Sequence, residues 1–338
     1  MNQEKLERLR ATYADADGAD YMTERFQRMN RKLADNPRSS SKPYSGISTL
    51  LDLPHREDWT DLDVALVGVP MDLGVTNRSG ARYGPRAVRT VERIGPYHYA
   101  LDEVPAAVLR AADIGDVPFR SRFSLHDSIE DIQHFYEQLV AAGVKPISVG
   151  GDHSITLPIM RALGAQQPLA MVHIDAHHDT GGPYDGEKFY HGGPFRNAVL
   201  EGVLDPDHCF QVGIRGPAEA SGEFAYEAGM RVMHIEDVET LGIQTVIAEA
   251  RRVVGNKPCY ITLDVDGIDP AYTPGTGTPE IGGLTPLQVQ LLIRGLKGLN
   301  IIGGDVVEVA PEYDPGTSTA TVAAQMLFEI FSVMAVSQ

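Results

Sequence analysis

LAMVHIDAHHD, residues 169–179, decides how this chain folds. Its first six residues are apolar except for His173, and they show no alternation of polar and apolar positions. A strand of that kind is covered on both faces, as in a parallel sheet with helices on either side. The run then gives way at once to Asp175, His177, His178 and Asp179. In open α/β sheets the ligand site lies at the carboxyl ends of the strands, so polar residues just after an apolar run are the ones to watch.

Working outward, the same pattern recurs. Strands are expected at DVALVGVP (63–70), AADIGDV (111–117), PISVG (146–150), CFQVGI (209–214), RVMHI (231–235), CYITLDVD (259–266) and IIGGDVVEVA (301–310). Helical stretches lie between them, among them SLHDSIEDIQHFYEQLVAAG (124–143), with a serine start and a glycine stop. Alternation of this kind predicts one α/β domain with a mostly parallel sheet of about eight strands, and no internal repeat interrupts it. Residues 1–46 read differently. They are polar and charged, with amphipathic spacing in LERLRATY (6–13) and YMTERFQRMNRKL (21–33). They are expected to form an extension to a catalytic body spanning 47–338, packed on that body or on a neighbouring subunit.

Composition narrows the function. The 338 residues carry a formal charge of −17. That balance opposes nucleic-acid binding, which needs basic patches, and suits a small cationic substrate, although solubility accounts for most of it. Cys209 and Cys259 sit in apolar runs and read as buried free thiols of a reducing compartment. The start of the chain has no signal-peptide core, and no uncharged apolar run reaches bilayer length. A cytoplasmic protein with no membrane partner is expected.

Three strand ends carry acids and histidines: Asp152 and His153 after PISVG, Asp175, His177 and Asp179 after LAMVHI, and Asp264, Asp266 and Asp269 around DVDGID. If the chain stays extended, alternate residues project to one side. Carboxylates so close repel unless a cation lies between them. Two imidazoles and four carboxylates suit two divalent ions sharing bridging carboxylates. Oxygen-rich ligation favours manganese, with nickel possible. Such a pair supplies a hydroxide at neutral pH. A guanidino carbon needs that help, because the group is resonance-stabilised and cationic, with a pKa above ~12. Bland roles fit the neighbours: Asp152 as a helix cap, Asp269 as a turn former, and His173 as a hydrogen-bonded core histidine.

GGDHS (150–154), DAHHD (175–179) and DVDGIDPAYTPGTGTPEIGG (264–283) resemble the motifs of the ureohydrolase family, which includes arginase and agmatinase. TNRSGARYGPRAVR (76–89) and HGGPFRNAVLEG (191–202) are similar to its agmatinase, guanidinobutyrase and guanidinopropionase branch. The resemblance implies a three-layer α/β/α arginase-like fold, a binuclear site and a homo-oligomer, trimer or hexamer. It implies that His153, Asp175, Asp179 and Asp264 hold one ion, and that Asp175, His177, Asp264 and Asp266 hold the other. Asp179 would also orient a hydroxide bridging the ions. His191 would deliver a proton to the leaving amine, and Glu308 would pair with the guanidinium.

The chain departs from the family beside these motifs. His178 stands where relatives generally carry something smaller, and Gly193 breaks the more familiar HGTPF or HGQP pattern. Thr180, Gly181 and Gly182 replace the polar residues that grip an α-carboxylate in arginase. Arginine is therefore disfavoured, and agmatine, guanidinobutyrate or guanidinopropionate is expected. If His178 and Gly193 reshape the pocket, a small alkylated guanidine or biguanide is the alternative, with Thr180 a further specificity candidate. From other classes come a non-catalytic partner subunit of a mixed oligomer and a metal-dependent deacetylase. The intact ligand set opposes the first and the TGTPE loop opposes the second.

Overall fold

In the computed structural model, which describes residues 2–17, 20–36, 44–92 and 94–337, every expected strand forms. They are β1 (Val64–Val69), β2 (Ala111–Asp116), β3 (Lys145–Gly150), β4 (Leu169–Ile174), β5 (Leu204–Ile214), β6 (Arg231–His234), β7 (Cys259–Asp264) and β8 (Ile301–Val307). β5 begins five residues earlier than its apolar run, at Leu204 rather than Cys209. The early part pairs with the start of β4, and a register shift follows.

All eight strands are parallel, in the order β2-β1-β3-β8-β7-β4-β5-β6. Alternate side chains of each strand enter opposite cores. Val64 and Leu66 of β1 join one apolar cluster, while Ala65, Val67 and Val69 join the other. Ala170, Val172 and Ile174 of β4 divide from Leu169 and Met171 in the same way. The first face is covered by Ile243–Val254, Pro286–Gly295 and Ser318–Ala335, and the second by Leu125–Ala141 and Thr156–Leu163. Burial on both faces is why these strands read as unbroken apolar runs. Local signals set the helix ends: Ser124 caps Leu125–Ala141 through the Asp127 amide, and Thr285 with Gln288 forms a capping box for Pro286–Gly295.

The polar extension forms two helices, Gln3–Tyr13 and Glu24–Ala34, neither with a buried residue. The second meets the body through charge, Arg28 with Asp102 and Lys32 with Glu103, each at 3.1 Å. Both thiols, Cys209 and Cys259, are buried and unpaired.

Ser318–Ala335 is the one helix among the described residues long and apolar enough to cross a membrane. Here it fills the core beside β8, and it carries the buried Glu329. That carboxylate receives both Arg294 nitrogens at 2.5 and 2.8 Å, and His98 Nε2 lies 2.7 Å away. Removing it would strand two cationic or polar partners in the interior. Glu329→Ala should therefore lower unfolding stability by about 3–5 kcal/mol, read as an earlier urea midpoint with an unchanged slope.

Candidate metal centre

The four central strands β3, β8, β7 and β4 end side by side, and each delivers one part of a polar cluster. After β3, His153 opens a short turn, His153–Ile155, capped by Asp152 through the Ser154 amide at 2.9 Å. Asp152 also accepts the Gly74 amide, so its part is structural, as expected. Asp175 is the first residue beyond β4, and its Oδ1 accepts the His177 amide at 2.6 Å. Asp264 closes β7, and its Oδ1 accepts the Asp266 amide at 2.8 Å. The chain therefore does not stay extended past the strands. The acids converge because the first residue of each turn folds the second back, which corrects the alternation argument. Gly267 lets the two turns press together, since a Cβ there would stand 2.8 Å from the Asp175 backbone.

Two more residues are aimed by unusual backbone. Asp179 has φ +52° and Glu308 has φ +64°, both left-handed. Side chains other than glycine hold such a conformation at a cost of about 1–3 kcal/mol. Here it bends the chain so that both carboxylates point back over the strand ends.

His153 Nδ1 lies 3.1 Å from Asp175 Oδ2, 3.0 Å from Asp179 Oδ2 and 3.5 Å from Asp264 Oδ2. His177 Nδ1 lies 3.4 Å from Asp175 Oδ1 and 3.2 Å from Asp266 Oδ2. The structure thus brings together all six residues that the resemblance singled out, in two overlapping groups that share Asp175. A test of fit comes from the far side of the His153 ring. Nε2 faces Thr262 Oγ1 at 2.8 Å. The buried Nδ1, without a hydrogen-bond partner, faces three carboxylate oxygens. Acceptors gathered on acceptors call for cations, and these residues fit two divalent ions. Burial, reinforced by the charges of Asp266 and Asp175, pushes the Asp264 carboxyl well above its usual range, and burial pushes Asp266 up to about 6. His173, left out as a ligand, donates from Nε2 to Asp175 Oδ2 at 2.7 Å.

His191 Nδ1 lies 2.8 Å from Glu308 Oε1, and its Nε2 lies 2.7 Å from Thr76 Oγ1. Burial pulls the imidazole down, but the Glu308 carboxylate outweighs it and raises His191 to about 9. Glu308 Oε1 also accepts the His153 amide, while the buried Oε2 has no protein partner.

The open side is a cavity of about 450 Å³. His177, Asp179, Asp264 and His191 reach it from the cluster, and Thr76, Tyr184, Tyr190, Ser221 and Thr278 form walls. No lysine or arginine stands among its described lining residues. The specificity candidates are placed differently than expected. His178 turns away from the cavity, into a buried position against Gln211 and Glu219. Thr180 is also buried, its hydroxyl 3.5 Å from the Ser221 carbonyl. Gly193 acts through a neighbour. A Cβ on it would stand 3.1 Å from the Tyr190 ring, one on Gly192 2.6 Å from that ring, and one on Gly181 2.0 Å from the Tyr190 hydroxyl. The glycines on either side of DAHHDT and HGGP together form a slot that seats Tyr190 at the cavity wall. Tyr190 carries no local motif, so only the slot of glycines could have pointed to it. Thr76 and Thr278, which donates to Asp266 Oδ2 at 3.0 Å, lay inside quoted motifs without an assigned role.

Comparison with known proteins agrees with this architecture. The sequence profile described as the arginase family matches residues 62–332. The chain is 50% identical over 298 residues to a guanidinopropionase of Pseudomonas aeruginosa, covering 87% of this chain and 93% of that protein. It is 45% identical to a mitochondrial agmatinase of Gallus gallus, covering 86% of each. The solved structure of proclavaminate amidino hydrolase from Streptomyces clavuligerus superposes with a TM-score of 0.85 at 35% identity, over 88% of this chain and all of that one.

The Thr262 hydroxyl orients His153 from behind without touching the cavity. Groups of this kind typically contribute about 10–100-fold to metal affinity. Thr262→Val keeps the side-chain shape and should weaken divalent-metal binding by that factor, measured by competition with a chromogenic chelator.

Proposed function

The chain belongs to the arginase family, and from that premise we propose that it hydrolyses a guanidino compound to urea and an amine with the help of two divalent ions. The observation that carries the reading is the floor of the cavity: four carboxylates and two imidazoles converge there, with Glu308 Oε2 buried beside them and unpartnered. A guanidinium cation, with its fork of N–H donors, is complementary to such a surface.

His153, Asp175, Asp179 and Asp264 would hold one ion, and Asp175, His177, Asp264 and Asp266 the other. Manganese suits the oxygen-rich set best, and nickel is compatible with it. When bound, such ions lower the pKa of water and so supply a nucleophile at neutral pH. The chain's own residues do the rest. Glu308 Oε2 accepts guanidinium N–H bonds and fixes the planar group over the acids. Asp179, held in its left-handed turn, keeps one carboxylate oxygen toward His153 and the other free to orient the attacking water. His191, bonded to Glu308 through Nδ1 and facing the Thr76 amide and hydroxyl through Nε2, would deliver a proton toward the departing amine.

For the tail of the substrate, an ω-guanidino compound of the agmatine, guanidinobutyrate or guanidinopropionate type is the first reading, supported by the guanidinopropionase and agmatinase likenesses. One observation favours a second. Among the described lining residues the cavity walls offer Tyr184 and Tyr190 and neutral hydroxyls but no lysine or arginine to meet a carboxylate tail. Small alkylated guanidines or biguanides fit those walls. A homo-oligomer is part of the same proposal, and a non-catalytic partner role is opposed by the complete ligand set.

Urea release is expected from one or more members of a panel of agmatine, guanidinobutyrate, guanidinopropionate, dimethylguanidine and a biguanide, assayed with manganese and with nickel. Arginine should be the poor member. Asp179→Asn should reduce release to background, and silence of the wild type on every compound would sink the proposal. Because His191 acts as an acid, the rate should fall as pH rises through about 9. His191→Asn should lose about 10²–10⁴-fold in kcat together with that alkaline limb.

A further inference from the structure

We infer that His178, Glu219 and His234 form a third metal site, taking one borderline divalent cation such as zinc, behind the cavity wall and separate from the binuclear cluster. The argument begins at Asp175 and follows hydrogens through the interior. His173 donates its Nε2 hydrogen to Asp175, which leaves Nδ1 as an acceptor. Gln211 Nε2 fills that acceptor at 3.0 Å and also donates to the His178 carbonyl at 2.7 Å. With both amide hydrogens committed, Gln211 Oε1 faces His178 Nδ1 at 3.2 Å, so the hydrogen of the His178 ring sits on Nδ1. In the singly protonated ring His178 Nε2 is the lone pair, and what it faces is Glu219 Oε2, at 2.9 Å. Two acceptors at that distance need a proton or a metal ion between or beside them.

Three features make that cation a metal. A second imidazole completes the group, with His234 Nε2 3.1 Å from the same carboxylate oxygen. Ligand atoms bound to one ion at ~2.0–2.2 Å lie about 2.9–3.5 Å apart, and these spacings match that range, as do those around His153. The Nδ1–H···O bond of His178 to Gln211 is the outer contact that a metal-binding histidine usually makes. Gly222 packs directly on the same ring: a Cβ there would stand 2.3 Å from His178 Nε2, so only glycine lets this segment bring Glu219 to that nitrogen. Two histidines and one carboxylate suit zinc, with water completing the shell. Such an ion ties together the turn that carries His177 and Asp179, the segment Pro217–Gly222 whose Ser221 lines the cavity, and the end of β6.

The test is metal content. Chelator-stripped protein is reloaded with excess Zn²⁺, desalted and analysed by inductively coupled plasma mass spectrometry, beside His234→Ala and Glu219→Gln. Both substituted side chains are partly exposed, at 35% and 46%, and circular dichroism confirms that each variant is folded. Wild type should hold one zinc per chain more than either variant. The readout is the difference, so it stands whatever the binuclear cluster itself retains. Equal zinc content in all three proteins, or a loss in only one variant, would overturn the proposal and leave a protonated His178 paired with Glu219.

Discussion

Four carboxylates that repel one another, held at the end of a parallel sheet with almost no water around them, constrain everything else in this molecule. Asp175, Asp264 and Asp266 are buried, and Asp179 nearly so. Charges so placed are tolerable only when cations lie among them, and only when the backbone fixes where each oxygen points. The strand order places His153, Glu308, Asp264 and Asp175 on neighbouring strand ends. Tight turns that use one acid to hold the amide of the next do the aiming. Where a turn is not enough, the backbone accepts a left-handed residue at Asp179 and at Glu308.

A buried polar group must be satisfied, and here satisfaction extends well behind the ligands. His153 is backed by Thr262, and the buried Asp305 accepts from Thr156 and Tyr260. Asp175 is backed by His173, Gln211 and His178 in sequence. The line from Asp175 has a direction at His173 and His178, because Gln211 spends its amide hydrogens on His173 Nδ1 and the His178 carbonyl. That direction fixes the tautomer of these two histidines, and so decides which ring nitrogen is left as a lone pair. The cluster at the cavity floor and the His178 group behind the wall are thereby coupled through one chain of hydrogen bonds.

The cavity wall is governed by space instead of charge. Tyr190 stands against Gly181, Gly192 and Gly193, none of which leaves room for a side chain. Arg78 holds the loop that follows β7, donating to the carbonyls of Thr276 and Gly277 while its guanidinium stacks on Tyr313.

By itself the sequence determined the layered fold and the chemistry at its edge. Strands buried on both faces lose polar alternation, so LAMVHI and its counterparts were legible as a parallel sheet. Acids and histidines crowded after such strands, at His153, Asp175, His177, Asp179, Asp264 and Asp266, were legible as a cluster in need of cations. Asp152 and Asp269 read correctly as a cap and a turn, because those bonds are local in the chain. Side-chain direction after a strand end was not legible. Whether His178 enters the cavity or the interior depends on Gln211, Glu219 and Gly222, which lie 33 or more residues away. Tyr190 owes its place to glycines on two separate loops, and Thr262 reaches His153 across 109 residues of chain. Such long-range contacts have no period or spacing in the sequence. Packing of the finished sheet decided them, since a side chain's direction is settled by the atoms already occupying the alternatives.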